Sequence, residues 1–302
     1  MMVAATFINC GAPGSLDELR AFLREKIRRE CLEWYGVENA AWVERATSNW
    51  FNDHENYDRR WGNLLARRPK PGRVLDMAAG CGTFLLYGLN RGQDVWGIEP
   101  EAWKLDYYRW KIKLSGYRRE FLGRMTRAVG ENLPFADESF DTVTTYQTLE
   151  HVVDVRACIG EILRVLRPGG VLYLKAPDYR CFYEPHYRLP FLPRMKHEWA
   201  ERYLNLLGRP TTGLRQLTWT SEHEIIQSLR QQPHRLHIER NRYFFIEQRR
   251  QQVERQLPAM LRGIGMGRVL NELHQARRQI ATAARVGRQE RLIDLWIRKL
   301  AA

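Results

Sequence analysis

The sequence predicts an α/β fold, a mostly parallel sheet covered by helices on both faces, and three observations carry that prediction. From Arg73 onward short apolar runs alternate with helical patterns, as parallel strands joined by crossover helices require. The first of these runs, Val74-Leu75-Asp76, leads through the small-residue turn Met77-Ala78-Ala79-Gly80-Cys81-Gly82 into a helical pattern at Thr83. The apolar run 292–297 suits a final, antiparallel strand.

Before the sheet, Ser15 with Glu18 forms a capping-box signature, and Leu16, Leu19, Phe22, Leu23, Ile27 and Cys31 recur at helical spacing. Further helices are expected over 38–47 and 57–67, the second stopped by Pro69. Between them lies the stretch 48–57, dense in aromatic and polar side chains, with Trp50, Phe51 and Tyr57 in it and Arg60 just beyond. Trp61 and Leu64 are expected to pack against the sheet.

Along the sheet, strands are expected at 74–76, 94–98, 142–146, 171–176 and 234–245, with helices at 83–90, 102–115, 158–166, 199–207 and 221–231. Trp103, Tyr107, Tyr108 and Trp110 read as a packing stripe, and Phe135 and Phe140 as core. The chain is expected to divide into a helical N-terminal extension over 1–70, an α/β core over 71–246 with a long loop region at 177–220 that follows a strand's C-terminal end, and a basic helical insertion plus last strand over 247–302.

Composition narrows the function. With 44% hydrophobic residues, ten Trp and thirteen Tyr, the 302 residues can fill a core, and no run approaches the roughly 18 apolar residues of a spanning helix. Residues 1–14 lack the pattern of a secretory signal, so a cytoplasmic location is expected. Five dispersed cysteines without a Cys-x-x-Cys argue for reduced thiols and against zinc. Asp53, His54 and Glu55 are adjacent and would point apart on a helix, so no metal site is expected. Of the net charge of +13, +8 falls in 249–302, where twelve Arg or Lys face four acids. That stretch is either a solvated face or a contact with anionic headgroups or a phosphate-bearing substrate. Nucleic acid is disfavoured, because no recognition motif accompanies the charge.

A glycine-containing turn between strand and helix marks a nucleotide site. Leu85 stands where the dinucleotide fingerprint needs a third glycine, which disfavours a nicotinamide oxidoreductase. The run Asp76-x-Ala78-x-Gly80-x-Gly82 instead resembles the first motif of class I S-adenosylmethionine-dependent methyltransferases, with Ala78 in place of the first glycine. An alanine there is expected to keep a negative φ. Glu99, 23 residues after Asp76 at a strand tip, suits the two ribose hydroxyls of an adenosine. The run Leu133-Pro-Phe-x-Asp-x-Ser-Phe-Asp141 resembles the family that includes ubiquinone and menaquinone C-methyltransferases and many small-molecule O- and N-methyltransferases.

The resemblance implies a Rossmann-like, seven-stranded, mostly parallel sheet and S-adenosylmethionine as cofactor, leaving as S-adenosylhomocysteine. It implies that the segment 48–57 covers the site as a lid, with Trp50 towards the acceptor and Phe51 a further lid candidate, and it places Tyr57, Arg60, Val129, Gly130 and Glu131 on the cofactor, the last three beside the adenine. With Asp76, Ala78, Gly80, Glu99 and Gln147 they make the expected cofactor set. His151, in a Leu-Glu-His run after a strand, is the first candidate base and His186 the second. The pattern Tyr183-Glu184-Pro-His186-Tyr187 resembles bacterial methyltransferases of polysaccharide and cell-surface glycan biosynthesis. Asp178, Tyr183, Glu184 and Tyr187 are accordingly expected to hold a sugar. The small-molecule acceptor is therefore read first as a glycan precursor, with a lipid or quinone-like acceptor at a membrane as the alternative. A non-catalytic cofactor-binding relative and a nucleic-acid methyltransferase are the readings from other classes.

Overall fold

The computed structural model describes residues 12–52, 54–241 and 292–301. Its N-terminal helix α1 (Leu16–Tyr35) starts at Ser15, whose Oγ accepts the Glu18 backbone N–H, while the Glu18 carboxylate accepts that of Gly14. Leu19, Leu23, Ile27, Cys31 and Tyr35 form its buried stripe, and left-handed Gly36 ends it. Next come α2 (Ala40–Asn52) and α3 (His54–Arg67). The lid expected at 48–57 is thus mostly helical. Phe51, Tyr57 and Trp61 are buried and Trp50 is half-buried, so aromatic packing on neighbouring helices outweighs the local polarity.

Seven strands form one sheet: β1 (Val74–Met77), β2 (Val95–Ile98), β3 (Met125–Thr126), β4 (Phe140–Tyr146), β5 (Leu166–Pro177), β6 (Leu236–Arg240) and β7 (Leu292–Lys299). Their order is β3-β2-β1-β4-β5-β7-β6. The first five run parallel, and β7 is antiparallel to both β5 and β6. Covering helices are α4 (Thr83–Leu89), α5 (Ala102–Leu114), α6 (Val155–Val165) and α8 (Glu222–Arg230), with α7 (His197–Leu206) over the acceptor loop.

Strand alternation divides the core between the two faces. Leu75, Val143, Leu172, Leu174 and Leu295 pack with Ile159 and Ile162 of α6 and Ile225 and Leu229 of α8. Val74, Val95, Val171, Tyr173 and Trp296 face α3, α4 and α5, where Trp61 stacks on Phe84 with centroids 4.4 Å apart.

Several boundaries differ from expectation. Asp154 accepts the N–H groups of Arg156 and Ala157, so α6 starts at Val155. Strand β5 starts at Leu166 rather than at residue 171. Its Pro-Gly-Gly segment is accommodated as an irregularity in the pairing with β4, Leu166 opposite Phe140 and Val171 opposite Thr142 across a register shift. The two-residue β3 had no apolar run to mark it. Of the strand expected at 234–245, Leu236–Arg240 is found, and 242–245 lies outside the described residues. So does the basic insertion up to residue 291. Cys31, Cys81, Cys158 and Cys181 are free thiols, and no helix among the described residues is long and apolar enough to cross a membrane.

Candidate functional site

The turn after β1 alternates left-handed residues: Ala78 at φ 50°, Gly80 at 59° and Gly82 at 74°. The expectation of a negative φ at Ala78 is therefore wrong. Ala79 N–H donates to Ile98 O at 2.7 Å and Gly82 N–H to Ala79 O at 3.0 Å, and this tight reversal fixes Ala78 in a conformation that costs alanine about 1–2 kcal/mol. The two glycines differ. A Cβ on Gly82 would stand 2.3 Å from the Tyr108 ring, whereas one on Gly80 would meet nothing within 4 Å. Gly82 serves packing, and Gly80 leaves an open surface.

Glu99, at the tip of β2, is 2% exposed. Its Oε2 accepts the Gly80 N–H at 2.9 Å and its Oε1 that of Glu101 at 3.1 Å, with Lys104 Nζ 3.7 Å away. Burial raises its pKa against the pull of Lys104 and those N–H groups. Burial also pulls on Lys104, but Glu99, Glu101 and Glu30 outweigh it and raise the ammonium's pKa. Asp76 is equally buried, and its Oδ1 accepts from Thr144 Oγ at 2.8 Å and Arg60 at 3.3 Å. Burial raises its pKa, countered by those two partners. Asp76 joins β1, β4 and α3, and so bears on the site through Arg60 and Thr144.

The Arg60 guanidinium lies 4.5 Å from the ring centroids of both Phe84 and Tyr146 and 5.5 Å from that of Tyr57. With Thr144, Thr145, Tyr173 and Lys175 it lines a cavity at the end of β4. Gln147, exposed at φ 54°, caps that strand and donates its N–H to Lys175 O. Where the resemblance leads one to expect the adenine, Val129 is exposed at 48%. Gly130 is required by packing, since a Cβ would stand 2.8 Å from Cys158 Sγ. Glu131 accepts the N–H groups of Val153 and Asp154 and so holds that loop. Trp50 meets the turn through its backbone, its carbonyl accepting from Thr83 Oγ.

The acceptor loop departs most from expectation. Tyr187 is fully buried, with its hydroxyl accepting the Leu214 N–H, and offers no face to a sugar. Asp178, 1% exposed, is engaged by Arg180, while Tyr183 is half-buried. Glu184, also 1% exposed, accepts His186 Nδ1–H at 2.7 Å and the Tyr187 N–H. An aromatic-rich loop buries its rings when it can close a core of its own, and Tyr35, Tyr187, Phe191, Leu204 and Leu214 do so here.

The two histidines proposed separately from the sequence come together, with ring centroids 5.2 Å apart. His151 Nδ1 faces Gln216 O at 3.2 Å, and His186 stacks on Tyr35 at 5.4 Å. Desolvation of the His151 ring, and then the positive charge of a protonated His186 beside it, lower its pKa. Burial raises the pKa of Glu30, against the pull of Lys104. Sequence reasoning missed Glu30, Tyr35 and Lys104. The available signals were a carboxylate inside an apolar helix stripe and a lysine following two acids.

Residues 75–174 match the family model described as a methyltransferase domain. An uncharacterized methyltransferase of Mycobacterium sp. (strain KMS) is 34% identical over 114 residues, 38% of this chain and 42% of that protein. The ubiquinone/menaquinone biosynthesis C-methyltransferase UbiE of Geotalea daltonii is 32% identical over 136 residues, 41% of this chain and 56% of that one. The chain thus spans about half the length of these curated relatives. Among solved structures, phosphoethanolamine N-methyltransferase 2 of Haemonchus contortus, in complex with S-adenosyl-L-methionine, is similar in fold. Its TM-score is 0.52 at 14% identity, covering 91% of this chain and 60% of that one.

The residues around Glu99 and Gly80 fit S-adenosylmethionine. A carboxylate has about four lone-pair sites. Two backbone N–H groups occupy part of the Glu99 carboxylate, leaving acceptors for a ribose diol beside the open face of Gly80.

Proposed function

We propose that the protein is an S-adenosylmethionine-dependent methyltransferase acting on an oxygen or nitrogen of a small-molecule acceptor. The observation that carries this reading is the buried Glu99 carboxylate, fixed by Gly80 N–H at the tip of β2. When bound, the cofactor supplies a methyl group on a sulfonium, already a good leaving group. The chain's own residues therefore align and desolvate more than they activate. Glu99 holds the ribose, Gly80 leaves room for close approach, and Arg60 offers a cation near the end of β4. The group around His151 and His186 faces the acceptor and handles its proton, with Glu184 orienting the His186 ring so that Nε2 points away from the carboxylate.

For the acceptor, a sugar or glycan precursor remains one reading, although burial of Tyr187, Asp178 and Glu184 removes three of the four residues expected to hold it. A quinone-like or lipid acceptor is favoured by the exposed apolar side chains Phe182 (66%) and Leu192 (62%) in the same loop. Titration calorimetry with S-adenosylhomocysteine tests the cofactor, and transfer of labelled methyl to nucleotide sugars or hydroquinones then tests the acceptor. Micromolar binding is expected; its absence would remove the reading.

A further inference from the structure

Among the described residues, one group of three potential metal ligands is close-set: Glu150, His151 and His186, whose ligand atoms all lie within 4.8 Å of one another. They come from distant parts of the chain. Glu150 and His151 sit on the turn after β4, and its position is fixed by Thr218 N–H donating to Glu150 O at 2.7 Å and His151 N–H to Thr148 O at 2.9 Å. His186 comes from the acceptor loop, where the Glu184–Leu189 bridge and stacking on Tyr35 set its ring.

The partners behind the rings are what a metal site requires. His186 Nδ1 faces a carboxylate at 2.7 Å and His151 Nδ1 a backbone carbonyl at 3.2 Å. Both acceptors place the proton on Nδ1 and direct the Nε2 lone pair outward, the tautomer that ligates metals through Nε2. Glu150 adds a fully buried carboxylate. Bonds of about 2.0–2.1 Å put ligand atoms roughly 3–4 Å apart, so closing around an ion needs only a small inward shift.

We propose that Glu150, His151 and His186 bind a divalent first-row transition ion, zinc or a similar cation, on the acceptor side of the cleft. Two imidazoles and one carboxylate suit such ions and leave coordination positions open. This departs from the sequence expectation of no metal and deepens the function proposed above, on which its chemical role rests. With both Nε2 lone pairs on the ion, the imidazoles act on the acceptor's proton through the metal and not as bases: a hydroxyl on the open position loses its proton to water. The freed oxygen lone pair then forms the bond to methyl as the carbon–sulfur bond breaks, and that electron pair stays on sulfur.

The test titrates chelator-treated full-length protein with Co(II), following visible ligand-field bands, and titrates S-adenosylhomocysteine in parallel. One Co(II) per chain is expected. Glu150→Gln and His186→Ala should each lose at least tenfold in Co(II) affinity, and Glu184→Gln about tenfold through the ring it orients. Binding of S-adenosylhomocysteine should stay within twofold. Loss of that binding in wild type, with Co(II) still bound, would overturn the proposed function and leave the metal site standing. The metal proposal is overturned by absence of stoichiometric Co(II), by binding unchanged in both ligand variants, or by a thiolate charge-transfer band placing the ion on a cysteine. Should a variant fail to fold, nitrogen splitting in the resonance spectrum of bound Cu(II) in unmutated protein decides. Two imidazole nitrogens support the site, and none overturns it.

Discussion

The backbone N–H of Gly80 donates to Glu99 Oε2 at 2.9 Å, so the turn after β1 and the tip of β2 share one buried carboxylate. Removing that carboxylate frees the turn, deprives Lys104 of a counter-charge and takes away the proposed ribose acceptor. Hydrogen bonds to a charged group contribute about 1.5–3 kcal/mol. Glu99→Ala should therefore weaken S-adenosylhomocysteine binding by roughly 10- to 100-fold. Glu99→Gln, which keeps an acceptor oxygen, should lose less. Calorimetry on the three proteins decides, and equal affinities would refute the ribose role.

Two glycines in the same turn should respond differently to one methyl group. Gly82→Ala drives a Cβ to 2.3 Å from Tyr108 at φ 74°, so loss of several kcal/mol is expected, of the order that overpacking and strain add together. Gly80→Ala meets no neighbour and should cost about 1–2 kcal/mol of stability, while the methyl fills the cofactor's approach and weakens binding. Urea midpoints with parallel calorimetry separate the two. Similar losses of stability would contradict the division of labour.

Ala78 carries φ 50° without a glycine's freedom. Ala78→Gly relieves about 1–2 kcal/mol of left-handed strain and adds roughly 0.5–1 kcal/mol of unfolded-state entropy. The variant should be neutral or up to about 1.5 kcal/mol more stable. A clear destabilisation in urea melts would show that the alanine methyl packs usefully.

The sheet was legible because its strands are apolar runs between turn residues, and Asp76 and Glu99 were legible because they end two of them. What the sequence hid depends on packing between distant segments. The φ of Ala78 is set by the Ala79–Ile98 hydrogen bond, which connects two strands. The 5.2 Å approach of His151 and His186 depends on how a 35-residue separation folds back over Tyr35. Tyr187 read as a platform because aromatic residues in a Pro-rich loop look exposed, and only the small core under α7 shows where its ring goes.

Tyr187→Phe tests that correction. The hydroxyl accepts the Leu214 N–H at 2.8 Å inside the fold, and deleting it leaves that donor unpaired, at about 1–3 kcal/mol. Stability should fall by that amount, while KM for any acceptor identified stays unchanged. A raised KM at unchanged stability would restore Tyr187 to the acceptor site.

Lys111 gives a prediction in pH. Its side chain is 6% exposed, its Nζ donates to Phe51 O, and burial lowers its pKa from 10.5 to about 8. Between those two values the unfolded chain binds the extra proton, so this lysine makes stability rise with pH across that window; below pH 8 its full penalty is present. A shift of this size corresponds to about 3 kcal/mol. In Lys111→Met the penalty is gone, but Phe51 O loses its donor at a cost of about 1 kcal/mol. The variant should therefore be more stable than wild type by roughly 2 kcal/mol at pH 7 and slightly less stable near pH 10. Urea unfolding of both proteins at the two pH values measures the difference, and a gap that does not change with pH would mean that Lys111 keeps an ordinary pKa in the fold.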